Sequence, residues 1–158
     1  MRLIVFLDPS IDPHGSGWNI IQSMTAIGSG GIWGKGFLQG TQSHYRFLPE
    51  QSTDFIFSII AEEIGLVGGL IILGLFLFIL YRCIYVMQHV HDSFGGLISA
   101  GVSSMIAFHL LINIGMAMGI MPVTGIPLFF LSYGGSSLLT AALGIGFVLS
   151  IYIRRFKS

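Results

Sequence analysis

This sequence predicts an all-α integral membrane protein: a long loop followed by three membrane-crossing helices. Two observations carry that reading. Only 9% of the 158 residues are charged against 53% hydrophobic, whereas a soluble domain carries roughly a quarter charged residues; mean hydropathy is +0.84. The apolar residues are also gathered into runs of membrane length. Net charge is zero, which excludes a polybasic nucleic-acid binder. A single cysteine, Cys83, excludes an internal disulfide and a cysteine-based metal site. Between Tyr81, Arg82 and Ile84 it reads as a thiol at a helix end.

Residues 1–53 form the first region, rich in Gly, Ser, Gln and aromatic residues and without a long apolar run. "MRLIVFLDP" has one basic residue and a short apolar run that stops at Asp8-Pro9 without a small-residue cleavage site, so it is not read as a signal peptide. The loop nevertheless has the composition of an exported segment, and the simplest expectation is that the chain is the C-terminal piece of a larger membrane protein. Asp8-Pro9 and Asp12-Pro13 keep the start out of helical geometry. In "GWNIIQSMTAIGSGG", Trp18, Ile21, Met24 and Ile27 recur at intervals of three and mark roughly one face of a short amphipathic helix. "GSGGIWGKG" then breaks regular structure. Trp18, Trp33, Phe37 and Tyr45 suit a loop at the headgroup level.

Residues 54–158 form the transmembrane region, with spans expected at about 64–86, 94–120 and 136–153. Each approaches the roughly 20 residues a bilayer requires. The last is rich in Gly, Ala and Ser, which permits close helix packing. Arg82 and the Arg154, Arg155, Lys157 tail are separated by two spans and so share one side, which the positive-inside tendency makes cytoplasmic. The N-terminal loop and residues 121–135 then face outward. "MPVTGIPLFFLSYGG" (121–135) is too apolar for an ordinary loop and too broken by Pro122, Gly125 and Pro127 for a helix. Irregular backbone at membrane depth survives only where protein or a cavity surrounds it, so this segment reads as partly re-entrant near the outer face.

The candidate functional residues cluster at that rim. A helix starting near Thr53 would be capped by Thr53, with Asp54 in its first turn, favoured by the helix dipole; that role is purely structural. Asp54 also heads a polar stripe of Ser58, Ala61, Glu62 and Gly65 at helical spacing. Ionisable groups at membrane depth commonly mark a functional path, and an acid there is a potential general base. Glu62 shares the Asp54 face, whereas Glu63 reads as interfacial and Glu50 as a loop acid. Lys35, in "WGKGF", has glycines on both sides that let an anion approach, although the string is not a phosphate-binding P-loop; the alternative is an exposed lysine in a flexible loop. His109 and Asn113 lie one turn apart on one face, as helix glue or a proton relay. "LSYGGSS" (131–137) is either a helix start or, through Ser132 and Tyr133, a wall of an outward cavity. The histidines form no metal-ligand pattern.

"GIWGKGFLQGTQSHYRFLPEQSTDFIF" together with "INIGMAMGIMPVTGIPLFFLSYGGSS" closely resembles the SEDS family of bacterial cell-wall proteins, over nearly the whole chain and with several long motifs in order. "FLDPSIDPHGSGWNIIQS", "AIGSGG" and "GTQS" resemble its rod-shape branch more than its division branch. The resemblance implies a bundle of about ten membrane helices, of which this chain would be the large extracytoplasmic loop and the last three helices, in the bacterial cytoplasmic membrane with a cytoplasmic C-terminus.

It also implies a peptidoglycan glycosyltransferase that polymerises lipid II, an undecaprenyl-diphosphate-linked disaccharide pentapeptide, for cell-wall elongation and rod shape. The family's essential loop aspartate, in its T-D-F-I-F motif, falls on Asp54. A cation near the site would stabilise the departing diphosphate; Lys35 and Arg46 are the local basic residues, and a divalent cation (Mg or Mn) is an alternative. Glu50, Glu62, Ser132 and Tyr133 complete the expected substrate-binding set. Implied partners are a class B penicillin-binding transpeptidase, other elongation-complex proteins and membrane lipid. Two departures stand out. Ser52 replaces the His or other basic residue that often precedes Thr-Asp, which bears on the electrostatics of Asp54. Phe129 replaces the second proline of Pro-Leu-Pro-Phe, which bears on the re-entrant bend. Two other classes fit the topology. A lipid-linked-precursor transporter would need charged groups through the membrane depth, and a non-catalytic scaffold of the cell-wall complex would tolerate replacement of Asp54.

Overall fold

The computed structural model describes residues 16–36, 54–90 and 92–154. Its helices are α1 (Ser16–Gly30), α2 (Ile56–Glu63), α3 (Gly65–His89), α4 (Ser93–Ala117) and α5 (Gly135–Arg154), and no strand occurs among the described residues. By length and composition α3, α4 and α5 are each able to cross a membrane. Much of their apolar surface faces outward, Leu70, Ile71, Phe78, Leu97, Leu111, Leu143 and Phe147 included. That is the expected state for helices whose solvent is lipid.

α4 packs back along α3, so the end of α4 lies beside the start of α3. Asp92 caps α4, its carboxylate accepting from the Phe94 N–H at 3.2 Å, which satisfies one of the donors left open at a helix start. The second span ends at Ala117, three residues before the expected 120. The Ile120 N–H donates to the Gly115 carbonyl at 2.8 Å with Gly119 at φ +72°. This closure needs a left-handed residue just past the helix, a conformation that costs glycine least.

The main core joins Phe76 of α3, Ile106 and Leu110 of α4, and Ala141 of α5 to Leu128 and Phe129 of the 121–134 connection. That connection is irregular throughout, yet Leu128 and Phe129 are buried. Two of its side chains thus join the core, while Thr124, Gly125, Phe130, Leu131 and Tyr133 stay exposed. Phe130 sits at φ +66°, a strained position for a residue with a side chain. Cys83 is not at a helix end: it is buried inside α3, packed with Val86 and Val148 of α5.

The predicted helix α1 forms, and the face marked by Trp18, Ile21 and Met24 is not its buried one. Trp18, Ile21 and Met24 are 40%, 43% and 50% exposed, whereas Ile20, Ser23 and Ala26 are buried. Gly30 lets α1 approach the Ala61 carbonyl of α2 closely, and of the large apolar side chains Ile20 is buried while Trp18, Ile21 and Met24 are left outside. Residues 31–36 then turn without regular structure, whereas Gly28, Ser29 and Gly30, the start of the "GSGGIWGKG" run expected to be irregular, still belong to α1.

Candidate active site

The start of α3 and the end of α4 make one end of the bundle, and Asp54 lies there. It does not occupy the first turn of α2. The helix begins at Ile56 with Phe55 as its N-cap and no side-chain cap hydrogen bond; Thr53, expected as the cap, lies outside the described residues. Phe55 anchors Asp54, being 1% exposed and packed with Met116 and Val123.

Asn113, on the last turns of α4 and fully buried, donates through Nδ2 to the Asp54 carbonyl at 2.9 Å and to the Ile126 carbonyl at 2.9 Å. One turn earlier, His109 Nδ1 bonds the Pro127 carbonyl at 3.0 Å. A carbonyl only accepts, so this nitrogen carries the proton. The His109 ring stacks on Phe129 at 3.9 Å, so the residue that departs from the family's Pro-Leu-Pro-Phe pattern becomes a stacking partner. The His109–Asn113 pair thus fastens the irregular connection, where the sequence suggested glue between helices or a proton relay. At Gly125, φ is +73° and a methyl group would stand 3.2 Å from Asp54 Oδ2. The carboxylate lies against the bare α-carbon of that glycine.

The polar stripe running on from Asp54 turns inward. Ser58, Ala61 and Glu62 are buried on α2. The Ser58 and Ser23 hydroxyls meet at 2.6 Å, and Ser23 Oγ donates to the Ala117 carbonyl at 2.6 Å. Lys35 Nζ reaches Glu62 Oε1 at 3.0 Å; the lysine side chain is 28% exposed and the glutamate fully buried. The Lys35 N–H also donates to the Glu62 carbonyl at 3.0 Å. Lys35 is therefore not a lysine on a free loop but a fixed counter-ion. Its pair sits at the far end of α2 from Asp54, roughly 12 Å along an eight-residue helix. Glu63 is half-buried.

Ser132 is buried and fastens its own loop: its hydroxyl accepts from the Leu128 N–H at 2.8 Å, and its N–H donates to the Leu128 carbonyl at 2.9 Å. Tyr133 is 84% exposed. Arg46, Glu50 and Ser52 lie outside the described residues. Among the described residues no group of three or more His, Cys, Asp or Glu could hold a metal ion, and the Glu62 carboxylate already has Lys35. These residues do not fit a resident divalent cation.

Residues 1–156 match the model of the FtsW, RodA and SpoVE family, described as "Cell cycle protein". The chain belongs to this family. Its motifs are those of the SEDS proteins, and its relatives fall in the same group. It is 59% identical to the peptidoglycan glycosyltransferase RodA of Treponema pallidum over 98% of the chain and 36% of that protein. It is 47% identical to the peptidoglycan glycosyltransferase MrdB of Escherichia coli over 98% of the chain and 42% of that protein. The chain thus spans well under half the length of these relatives. Among solved structures it superposes with a TM-score of 0.81 and 33% identity on a component of a peptidoglycan synthase complex that coordinates polymerization and crosslinking, covering 99% of this chain and 42% of that one.

Sequence reasoning did not find Ser23 and Gly125. Asn113 was visible as a polar residue in an apolar span, but its two carbonyl acceptors, 13 and 59 residues away, have no local signature.

Proposed function

We propose that this chain carries the catalytic rim of a peptidoglycan glycosyltransferase that polymerises lipid II for cell-wall elongation. The observation that carries the reading is Asp54: an acid at the mouth of a membrane bundle, tied through its own backbone to α4 and to the 121–134 connection. The reactive bond of a lipid-linked sugar lies at the headgroup level, so a base that serves it must wait at the rim.

In this reading the 4-hydroxyl of the acceptor sugar attacks the anomeric carbon of the lipid-linked donor. The new glycosidic C–O bond forms as the anomeric C–O bond to the diphosphate breaks. The hydroxyl proton goes to the Asp54 carboxylate, and the lipid diphosphate leaves with the bonding pair. Positioned proton transfer of this kind contributes about 10²–10⁴-fold. Lys35 and Arg46 are the basic residues offered to the diphosphate; Glu62 already shares the Lys35 charge, so Arg46 is the stronger of the two. Glu50 and Tyr133 are proposed for the sugar–lipid boundary; Ser132, expected there too, is buried and fastens the loop that carries Tyr133.

The positive-inside tendency places the Arg82 end of α3 in the cytoplasm and the Asp54 rim outside, in the bacterial cytoplasmic membrane. A class B transpeptidase is the proposed partner, working with other elongation proteins. The transporter reading gains nothing: between Arg82 and Arg154 the sequence holds one Asp and no Glu, Lys or Arg, and that Asp92 stands at a helix end.

The test is the full-length protein in lipid vesicles, given lipid II. Strands longer than the substrate support the polymerase. Movement of lipid II between leaflets with no lengthening would refute it in favour of the transporter.

A further inference from the structure

We propose that Asn113 is a positioning residue for Asp54, holding the acid and the 121–127 stretch as one unit; this rests on the polymerase reading. A side-chain amide has two N–H donors, and here each has one carbonyl: that of Asp54 and that of Ile126, both at 2.9 Å. The two acceptors belong to segments 72 residues apart, and neither segment is helical at that point. Asn113 is therefore the joint at which two irregular stretches are held in register.

The second observation concerns the carboxylate itself. Gly125, next to the Ile126 that Asn113 holds, lies under Asp54 Oδ2, with a missing methyl's distance of 3.2 Å. Fixing Ile126 and the Asp54 backbone from one nitrogen also fixes the carboxylate over that glycine. The helix end that carries Asn113 is firm, because Met116 and Ala117 are fully buried beside it. The placement is bought with an unsatisfied acceptor: Asn113 Oδ1 is buried and has no hydrogen-bond partner among the described residues. A residue chosen only to fill space would more cheaply be apolar.

The experiment compares kcat and KM for lipid II polymerisation by the full-length protein, per folded molecule, in native, Asn113→Ala and Asn113→Asp forms. The aspartate variant keeps the volume while removing the paired donors, and serves if the alanine variant does not fold. A misplaced catalytic group costs on the order of 100-fold, so kcat falls by about that factor while KM moves less than about threefold. Asn113→Gln, which keeps the amide, recovers most of the loss. If kcat per folded molecule stays within about threefold of native in both Asn113→Ala and Asn113→Asp, and only thermal stability falls, Asn113 is a strut and the proposal is overturned. A rise in KM with kcat unchanged overturns it as well. Asp54→Asn is run alongside: a native rate there sinks the underlying reading, whereas an inactive Asp54→Asn beside an unaltered Asn113→Ala sinks only the role of Asn113.

Discussion

Ser23 has one hydroxyl proton and directs it to the Ala117 carbonyl. The Ser58 hydroxyl, 2.6 Å away, must then be the donor to Ser23. This order makes the two serines unequal. Ser58→Ala removes one buried hydrogen bond and is expected to lower stability by about 1 kcal/mol, whereas Ser23→Ala strands both a hydroxyl and a carbonyl, worth about 1–3 kcal/mol. Thermal unfolding of the two variants in detergent checks the order, and equal shifts would contradict it. The pairing was only half legible. Ser58 stands on the stripe that starts at Asp54, which helical spacing reveals, while Ser23 is an ordinary polar residue in a segment whose periodicity pointed to another face. Asp54 itself was legible through its motif, but its surroundings were not. Neither Asn113 nor Gly125 is near it in sequence, and no spacing rule links them.

At the scale of elements, α1, α2 and the 31–36 turn are joined by two devices. The first is the Lys35–Glu62 pair, with Glu62 fully buried. Removing one partner of a buried pair leaves an uncompensated charge, at about 3–5 kcal/mol. Because Lys35 is partly exposed, Lys35→Ala is expected near the lower end, and Lys35→Ala with Glu62→Gln is expected to regain most of the loss. A double variant no more stable than Lys35→Ala would contradict this account of the pair. The second device is close approach: a methyl at Gly30 would collide with the Ala61 carbonyl of α2. Gly30→Ala therefore forces backbones apart and is expected to cost at least 1–3 kcal/mol, the range for overpacking, measured by the same unfolding assay. These contacts explain why the buried face of α1 is not the one its large apolar residues mark. Hydrophobic periodicity assumes that large apolar residues face the protein. Here the buried face holds Ile20, Ser23 and Ala26, with Gly30 against the Ala61 carbonyl, and Trp18, Ile21 and Met24 turn outward. The three spans were easier, since each is an apolar run longer than any local exception. Their ends moved by a few residues because turns such as the one at Gly119 depend on backbone geometry that hydropathy does not encode.

Over the whole molecule, the two ends of the bundle differ in charge. Arg82 lies over the Tyr152 ring at 5.8 Å, near Arg154 at the end of α5, while Asp54 and the Lys35–Glu62 pair occupy the opposite end. The positive-inside tendency then predicts that, in a Cys83→Ser background, Tyr133→Cys reacts with a membrane-impermeant maleimide in intact cells, whereas Gln88→Cys reacts only after permeabilisation. The reverse pattern would overturn the orientation and with it the outward-facing rim. The basic residues carry the expectation of this polarity, and the family resemblance implies which rim would carry the chemistry. What joins the rim together, a ladder of side chains from α4 to an irregular connection, emerges only from the packing. The most direct test of the account is lipid II polymerisation by the full-length protein with its transpeptidase partner, native against Asp54→Asn, which keeps the shape and removes the charge. The account predicts that glycan strands vanish while the variant stays folded and partner-bound. Strands at the native rate would show that Asp54 is not the base.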